Sequence, residues 1–585
     1  MGFLAGIRTP IVAGVTILSV SLASAEPFSD VVADYERLTA ELDPAERGRR
    51  EGSPPKAWPD VTRSAVQNAA KAAAALRVRL KTSDGGSETS RRVLDALLEQ
   101  RIGAGARDEA RIPFTSDWGF QIEPVFAASQ TRLRNRADAE AWIGRLDALP
   151  GYFATNIDNL RRGMATGYVA HRQPVANIIA QVREQVVDHP EDSPLYGPFE
   201  TLPETFDTET ASDLQKRGAE AVARALLAYE GLLRFLEYDY APAARSQPAL
   251  SSLPGGGAAY RALVARHTTR PDLAPEAVHR LGQSEVARIR IEMEGVIRES
   301  GFDGTFGEFL EFLRTDPGFY AETPDQLLAE AARLAKRLDA LLPQYFNTLP
   351  RLPYGVSPVP MAIAPGYTTA RYAPGDPEEG RAGAYLVNTY RLDQRPLYEL
   401  PALTAHEAVP GHHLQIALAQ ELRDLPRFRR SYYATAFGEG WALYAERVAG
   451  EAGLYETPYE KFGALSYEMW RACRLVADTG LHWFGWPRER AEACFQQNTA
   501  LTPLNITTEV TRYIGDPGQA LGYKIGEITI RELRADAEAA LGEAFDIRAF
   551  HDLVLAEGAT PLDVLEDRVG AWIADQKTER DPPLE

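Results

Sequence analysis

Cysteine is almost absent from this sequence, since Cys473 and Cys494 are the only two among 585 residues. They are poor candidates for metal ligands, because the histidines that would join them cluster elsewhere in the chain. In an oxidising compartment the two thiols could form a disulfide. They could equally be two small buried residues, and the sequence leaves both interpretations open.

Positive charge is also scarce. The chain has 63 lysines and arginines against 82 aspartates and glutamates, which gives a formal net charge of −19. A chain with this balance is repelled by nucleic-acid phosphates and by anionic lipid headgroups. We therefore expect neither nucleic acid nor an anionic membrane surface as a partner.

Long apolar runs are missing, except near the N-terminus. There, an arginine is followed by an apolar run over residues 11–22 and by a small-residue ending at Ala25, the three parts of a secretory signal peptide. The run is too short for a comfortable membrane span, and no cysteine follows it as a lipoprotein anchor would require. We expect a secreted, periplasmic protein that begins at Glu26 and has no stable membrane insertion. A retained membrane anchor is the alternative.

The remaining chain is long enough for a large core and more than one lobe. Helical patterns recur along most of it, and the longest amphipathic run, with apolar residues at three- and four-residue steps, covers residues 213–240, which predicts a mainly helical protein. A segment rich in Ser, Pro and Gly over 246–257 is typical of a connecting loop. We therefore divide the chain into a signal peptide (1–25), an N-terminal helical lobe (26–250) and a C-terminal lobe (251–585) that forms one integrated catalytic unit.

The clearest strand of the sequence covers residues 384–390 and lies just before the histidine cluster. It predicts a small β element beside the predicted metal-binding helix. Such a strand could be an edge that pairs with an extended substrate, or it could only pack in the core.

Three of the nine histidines lie in the sequence His-Glu-Ala-Val-Pro-Gly-His-His over residues 406–413. Histidine nitrogens are good zinc ligands, and an adjacent carboxylate can take a proton from water at the metal. The usual metallopeptidase spacing is His-Glu-x-x-His on one helix. Here the second position is Pro410, which cannot bind a metal, so the motif is a lengthened relative.

Unbroken helix would separate His406 from His413 by roughly 10 Å along the axis, too far for shared ligation. Pro410 and Gly411 interrupt such a helix. A bulge that absorbs two residues would make His412 the second ligand, and one that absorbs three would make it His413. Ordinary histidines beside a Pro-Gly turn are the alternative without a metal.

A second motif, Gly-Glu-Gly-Trp over residues 438–441, lies about two dozen residues downstream, where a His-His-Glu zinc site needs its third ligand. Glu439 is our candidate, since the glycines on both sides allow close approach. Glu446 shares its helical face and is expected to orient a ligand histidine. A solvated surface charge is the alternative for Glu439.

A third, glycine-rich stretch over residues 512–526 carries Arg512, Tyr513 and Tyr523. Tyrosine hydroxyls and arginines are suitable donors to an oxyanion that forms on a polarised carbonyl. We expect Tyr523 to donate to the oxyanion and Arg512 or Tyr513 to hold the substrate. Most tyrosines are packing residues, which is the alternative.

These three motifs together resemble the bacterial family named domain of unknown function 885 (DUF885), on the segments His-Glu-Ala-Val-Pro-Gly-His-His-Leu-Gln, Gly-Glu-Gly-Trp-Ala-Leu-Tyr-Ala-Glu and Pro-Gly-Gln-Ala-Leu-Gly-Tyr-Lys-Ile-Gly. Their order is also similar to the helical gluzincin metallopeptidases, such as angiotensin-converting enzyme, thimet oligopeptidase and the thermostable carboxypeptidases. The lengthened motif of dipeptidyl peptidase III ends in Gly-His, which favours His412 here. The resemblance implies a mainly α, large two-lobed metallopeptidase-like fold with a deep central channel.

The function that we expect is a zinc metallopeptidase acting on short peptides, with one Zn²⁺ per chain. His406, His412 or His413, and Glu439 would bind the metal, and Glu407 would act as general base. A zinc hydrolase of a non-peptide amide or ester is one alternative. The other is an inactive helical peptide-binding protein, against which the presence of Glu407 argues. The sequence does not indicate an oligomeric state.

Overall fold

Residues 26–361, 364–377 and 380–580 are described by this computed structural model, and most of them are helical. The predicted signal peptide lies outside these ranges. The mainly helical fold class with a small β element is confirmed. Within the described ranges, no helix is both long and apolar enough to cross a bilayer.

The first four helices form an N-terminal group: α1 (Phe28–Leu42), α2 (Pro44–Glu51), α3 (Arg63–Thr82) and α4 (Glu88–Arg107). The side chains of Thr62 and Ser87 cap the first turns of α3 and α4 by accepting backbone N–H groups. Arg92 of α4 forms ion pairs with Asp563 and Asp567, near the other end of the chain. This group therefore packs against C-terminal elements.

The next helices build a second group: α5 (Glu123–Gln130), α6 (Arg136–Asp147), α7 (Leu149–Thr166), α8 (Arg172–Glu184), α9 (Gly197–Glu200), α10 (Thr208–Phe235) and α11 (Ala241–Ala243). Helix α10 contains most of the predicted run over 213–240. Its last part continues as a π-helical turn, Leu236–Tyr240. The apolar face of α10 packs against α6 and α7 around Trp142, Phe153 and Tyr229.

Four more helices follow: α12 (Gly256–Thr268), α13 (Pro275–Ser300), α14 (Phe306–Thr315) and α15 (Pro324–Tyr345). The predicted loop over 246–257 contains a short 3₁₀ turn, Leu250–Ser252, and ends as α12 begins. Gly255, with φ of 72°, allows the sharp entry into α12.

A three-stranded sheet comes next, with β1 (Tyr354–Pro358), β2 (Ala370–Ala373) and β3 (Gly383–Val387). The strand order is β1-β3-β2, with β3 parallel to β1 and antiparallel to β2. The strand predicted over 384–390 is therefore the central strand rather than an edge. The edge that lies beside the histidine cluster is β2.

The C-terminal half of the fold contains α16 (Leu400–Glu407), α17 (His412–Glu421), α18 (Arg427–Arg430), α19 (Thr435–Glu451), α20 (Pro458–His482), α21 (Arg488–Asn498), α22 (Pro503–Gly515), α23 (Leu521–Leu541), α24 (Ile547–Leu555) and α25 (Leu562–Arg580). The helix through the histidine motif, in which a local bulge was expected, is interrupted completely and forms two helices, α16 and α17. Cys473 of α20 and Cys494 of α21 form a disulfide, with Cα atoms 5.8 Å apart.

The hydrophobic cores do not follow the order of the chain. The larger core joins side chains of α1, α3 and α4, such as Val31 and Leu94, to Trp441 and Leu565. The second core belongs to residues 58–240. The first helices of the predicted N-terminal lobe therefore complete a core that is built mainly by residues after 289.

Candidate metal centre

A tight turn between α16 and α17 brings two histidines together. The Val409–Pro410 peptide bond in this turn is cis. A Cβ atom on Gly411 would lie 2.0 Å from the His406 carbonyl oxygen, so only glycine fits there. The indole N–H of Trp441 donates to the Pro410 carbonyl at 2.8 Å and ties the turn to α19. As a result, the imidazole centroids of His406 and His412 are 4.8 Å apart.

Glu439 of α19 completes a cluster of three candidate metal ligands. Its Oε2 lies 3.6 Å from His406 Nε2 and 3.4 Å from His412 Nε2. The three ligand atoms all lie within 4.8 Å of one another. His406 and His412 are 4% and 9% exposed, so the cluster is largely shielded from solvent.

The donor set fits zinc. Two imidazole nitrogens and one carboxylate oxygen form the three-ligand set of many catalytic zinc sites, which leaves one position for water or substrate. Two ligand atoms that are each about 2.1 Å from a tetrahedral zinc ion are about 3.4 Å apart. The two distances to Glu439 are close to that separation.

Glu446 orients His406 from the side opposite to the cluster. Its Oε1 accepts the Nδ1–H of His406 at 2.7 Å, which leaves Nε2 directed at Glu439. The guanidinium of Arg471 lies 3.3 Å from the same oxygen. Burial alone lowers the pKa of His406, but the carboxylates of Glu439 and Glu446 outweigh burial and raise it to about 9. The two carboxylates thus favour positive charge at this position.

The second oxygen of Glu439 is held by a tyrosine that the sequence analysis did not identify. The Tyr433 hydroxyl donates to Glu439 Oε1 at 2.9 Å. The Tyr433 ring lies on Gly438, where a Cβ atom would come within 2.5 Å of it. Burial raises the pKa of Glu439, yet His412 and His406 lower it well below its usual value. Glu439 is therefore a carboxylate.

Glu407, the candidate general base, is held by the edge of the sheet. The backbone N–H of Tyr372 in β2 donates to Glu407 Oε2 at 2.7 Å. The side chain is 8% exposed and follows His406 directly in α16. One carboxylate oxygen is thus fixed by the backbone, an arrangement that the sequence did not reveal.

His413 lies outside the cluster. Its Nδ1 forms a hydrogen bond with the Tyr372 hydroxyl at 3.0 Å, and its ring packs on Tyr354 with centroids 4.4 Å apart. Burial lowers the pKa of His413 to about 4. The sequence left His412 and His413 as alternatives for the second ligand. In the structure, His412 lies beside His406, whereas His413 joins α17 to the sheet.

A close contact between α19 and α23 brings Tyr523 towards Glu439. A Cβ atom on Gly526 would lie 1.8 Å from the Ala436 carbonyl oxygen, and one on Gly440 would lie 2.5 Å from Gly526 Cα. Burial raises the pKa of Tyr523, as does the negative charge of Glu439. The phenol therefore stays protonated at neutral pH and can donate a hydrogen bond.

One arginine packs on the Tyr523 ring, and a second shares its carboxylate partner. The guanidinium of Arg474 lies 4.2 Å from the centroid of the Tyr523 ring, a cation–π contact. Both Arg474 and Arg512 lie 3.1 Å from Glu509 Oε2. Arg512 also donates to the Gln519 side chain at 2.6 Å. Arg512 is thus tied to Glu509 and Gln519 rather than pointing freely at a substrate.

Tyr513 was predicted to contact the substrate, but its side chain is buried away from solvent. It is 0% exposed, and its hydroxyl donates to Glu509 at 2.8 Å while accepting from Trp470 and Arg474 at 3.0 Å each. A fully buried phenol with three hydrogen bonds does not reach a substrate. Its position fixes Arg474, and through it the Tyr523 ring.

The profile of one protein family, described as bacterial proteins of unknown function (DUF885), matches residues 46–569. The chain belongs to the DUF885 family. A comparison of this DUF885 protein with curated proteins finds no match.

Two solved structures have the fold of this DUF885 protein. A predicted lipoprotein from Colwellia psychrerythraea is 26% identical, with a TM-score of 0.85 over 94% of this chain and 100% of that one. A predicted lipoprotein of unknown function from Shewanella oneidensis is 17% identical, with a TM-score of 0.67 over 92% of this chain and 98% of that one. At 17% identity, this second comparison shows a common fold and nothing about function.

Proposed function

We propose that this DUF885 protein is a periplasmic zinc metallopeptidase that hydrolyses short peptides. The observation that carries the proposal is the position of Glu407. A carboxylate without a role in ligation lies beside three converging donor atoms, from His406, His412 and Glu439. This is the combination that metal-assisted hydrolysis requires. The fold would then be a two-lobed metallopeptidase-like one, with the substrate in a deep channel.

Each side chain of the site has a distinct task in this proposal. When bound by the three ligands, zinc supplies a Lewis acid that polarises a carbonyl and acidifies water. Glu407 takes a proton from the attacking water and later delivers it to the leaving amine. Tyr523 donates a hydrogen bond to the oxyanion that develops on the substrate. The Tyr372 N–H holds Glu407 in place during both proton transfers.

The edge strand β2 offers a place for an extended peptide. The Tyr372 N–H points to Glu407 rather than to β3, so this edge of the strand runs along the metal centre. Peptide backbones commonly add to a sheet edge of this kind. A peptide lying there would bring its carbonyl groups close to Glu407, which favours a peptide over a compact amide or ester.

Metal content of the purified protein tests the ligand set. We expect about one zinc per chain in the wild type and in His413→Ala. We expect its loss in His406→Ala, His412→Ala and Glu439→Ala. Circular dichroism would show that the variants are folded. A wild type that binds no zinc even after its addition contradicts the proposal.

Turnover tests the role of Glu407. Glu407→Gln keeps an oxygen for the Tyr372 N–H but removes the base, so we expect zinc to be retained and kcat to fall by roughly 10²- to 10⁴-fold. Short peptides should be assayed beside non-peptide amides and esters. Hydrolysis of the amides or esters alone would favour the other zinc hydrolase. Near-normal activity of Glu407→Gln on a peptide would show that Glu407 is not the base.

A further inference from the structure

Arg371 is an exposed cation at the edge of the sheet, immediately before the residue that holds Glu407. It lies in β2, paired with Leu386 of β3, and Tyr372 follows it. Successive side chains of a strand point to opposite faces. Tyr372 is buried against His413, whereas the Arg371 side chain is exposed on the other face. Arg371 therefore lies one residue from the backbone group that touches the candidate base.

Arg371 differs from the other arginines around the site, which already have carboxylate partners. Arg471 is paired with Glu446 at 3.3 Å, and Arg474 and Arg512 share Glu509 at 3.1 Å each. Among the described residues, no carboxylate forms an ion pair with Arg371. Within the part of the chain that the structure describes, its charge is therefore not neutralised by a carboxylate.

The surroundings of Arg371 are otherwise negative. Neighbouring protein atoms partly desolvate the guanidinium and lower its pKa, but the Tyr367 hydroxyl and the carboxylates of Glu407 and Glu439 raise the pKa above its usual value. The chain as a whole has a net charge of −19. A substrate carboxylate approaching Glu407 and Glu439 would be repelled unless a cation compensated for them. Arg371 is placed to do so.

We propose that Arg371 binds a carboxylate of the substrate, so that the preferred peptides carry a negative charge next to the scissile bond. This inference rests on the proposed peptidase function and names its substrate class. A guanidinium presents paired N–H donors that match the two oxygens of a carboxylate. The carboxylate has two possible sources, the C-terminus of the peptide or an Asp or Glu side chain beside the scissile bond.

Matched peptides separate these sources. One pair has a free or an amidated C-terminus, and a second pair, with both termini blocked, has Glu or Gln next to the cleaved bond. The variants are Arg371→Met, which keeps an unbranched apolar side chain, and Arg371→Lys. Arg391→Met serves as control, because Arg391 is also exposed but is already paired with Asp393.

For the charged peptide, we expect Arg371→Met to lower kcat/KM by about 10- to 100-fold through KM, as the loss of a charged hydrogen bond requires. Arg371→Lys should recover part of this, and Arg391→Met should resemble the wild type. Hydrolysis of the uncharged peptides should be unaffected. If Arg371→Met slows only the peptide with a free C-terminus, the bound group is the C-terminal carboxylate and the protein is a carboxypeptidase. If it slows only the Glu peptide, the bound group is an acidic side chain beside the cleaved bond. An equal loss of kcat on every peptide, or no preference of the wild type for charge, overturns the proposal.

Calorimetric binding provides a readout without turnover. Zinc-loaded Glu407→Gln should bind the charged peptide of the preferred pair about 10- to 100-fold more tightly than its neutral partner. Adding Arg371→Met should abolish the difference. If the wild type cleaves no peptide but this difference persists, the peptidase function fails while the carboxylate site stands. If cleavage occurs without the difference, the carboxylate site alone fails.

Discussion

The contact between Glu446 and His406 shows how a single residue outside the candidate ligand set can orient one of its members. Glu446 is 3% exposed and has no contact with the two other candidate ligands in the described structure. Its effect on the proposed zinc ion would pass through the orientation of one imidazole ring. Because such a partner also raises the basicity of the ring, its loss should weaken metal binding without removing a ligand.

We therefore predict that Glu446→Gln lowers zinc affinity by roughly 10- to 100-fold, with the metal retained only at higher free zinc. Competition with a chromogenic chelator measures this affinity. Glu451→Gln is a suitable control, because Glu451 lies on the same helix and pairs with Arg447 and Arg534 at the surface. Equal zinc affinity in both variants would show that Glu446 does not orient His406 for the metal.

At the scale of elements, the contact between α19 and α23 sets the position of Tyr523. The two helices meet at Gly440 and Gly526, where any larger side chain would collide with backbone atoms. Backbone atoms cannot move aside as the end of a flexible side chain can. A methyl group here must therefore separate the helices.

We predict that Gly526→Ala lowers the free energy of unfolding by about 1–3 kcal/mol and also lowers kcat, because Tyr523 moves with α23. Urea denaturation and peptide hydrolysis measure the two effects. The control is Gly231→Ala in α10, where a Cβ atom meets nothing within 4 Å. This variant should gain up to about 1 kcal/mol from helix propensity. A Gly526→Ala protein as stable and active as the wild type would contradict the proposed contact.

The elements of this protein differ in how far the sequence predicted them. The helix α10 follows from its regular apolar steps, and β3 follows from its β-branched and aromatic residues. The break at residues 408–411 was expected as a local bulge, but its extent depends on Trp441, which is distant in sequence. The choice between His412 and His413 likewise depends on Tyr372 and Tyr354 of the sheet. No local pattern contains such contacts.

The disulfide and the position of Tyr513 illustrate the same limit. Whether Cys473 and Cys494 meet depends on how α20 packs on α21, which the spacing of the two residues does not fix. Tyr513 was expected to contact substrate because of its neighbours in the motif. Its hydroxyl is instead enclosed by Trp470, Arg474 and Glu509. A tyrosine in a motif can support the site without touching it.

At the scale of the whole molecule, buried neutral histidines make stability depend on pH. His551 is 0% exposed, and its Nδ1–H donates to the Tyr345 carbonyl while Nε2 accepts from the Tyr444 hydroxyl. Burial lowers its pKa to about 3. The folded protein keeps His551 neutral between about pH 6.5 and pH 3, whereas the unfolded chain takes up a proton below about pH 6.5. Stability is therefore lost as the pH falls below 6.5.

We predict that His551 contributes about 2 kcal/mol to the loss of stability between pH 7 and pH 5. His551→Gln should therefore show a smaller difference between urea unfolding at the two pH values, whatever its stability at pH 7. The exposed His189 provides the control, and His189→Gln should keep the difference of the wild type. An unchanged difference in His551→Gln would show that the folded protein protonates His551 readily.

The larger core is built from residues near both ends of the chain, and this has a consequence for how the protein is made and folds. Helices α1, α3 and α4 pack against one another, but the core that they share is completed by residues 289–569, so part of their apolar surface stays exposed until most of the chain has been synthesised. Contacts of such long sequence separation form slowly and leave exposed apolar surface in the meantime. During the export that we propose, the first helices would emerge hundreds of residues before the residues that complete this core. We therefore expect this protein to depend on chaperones that hold unfolded chains, and to aggregate when export stalls midway.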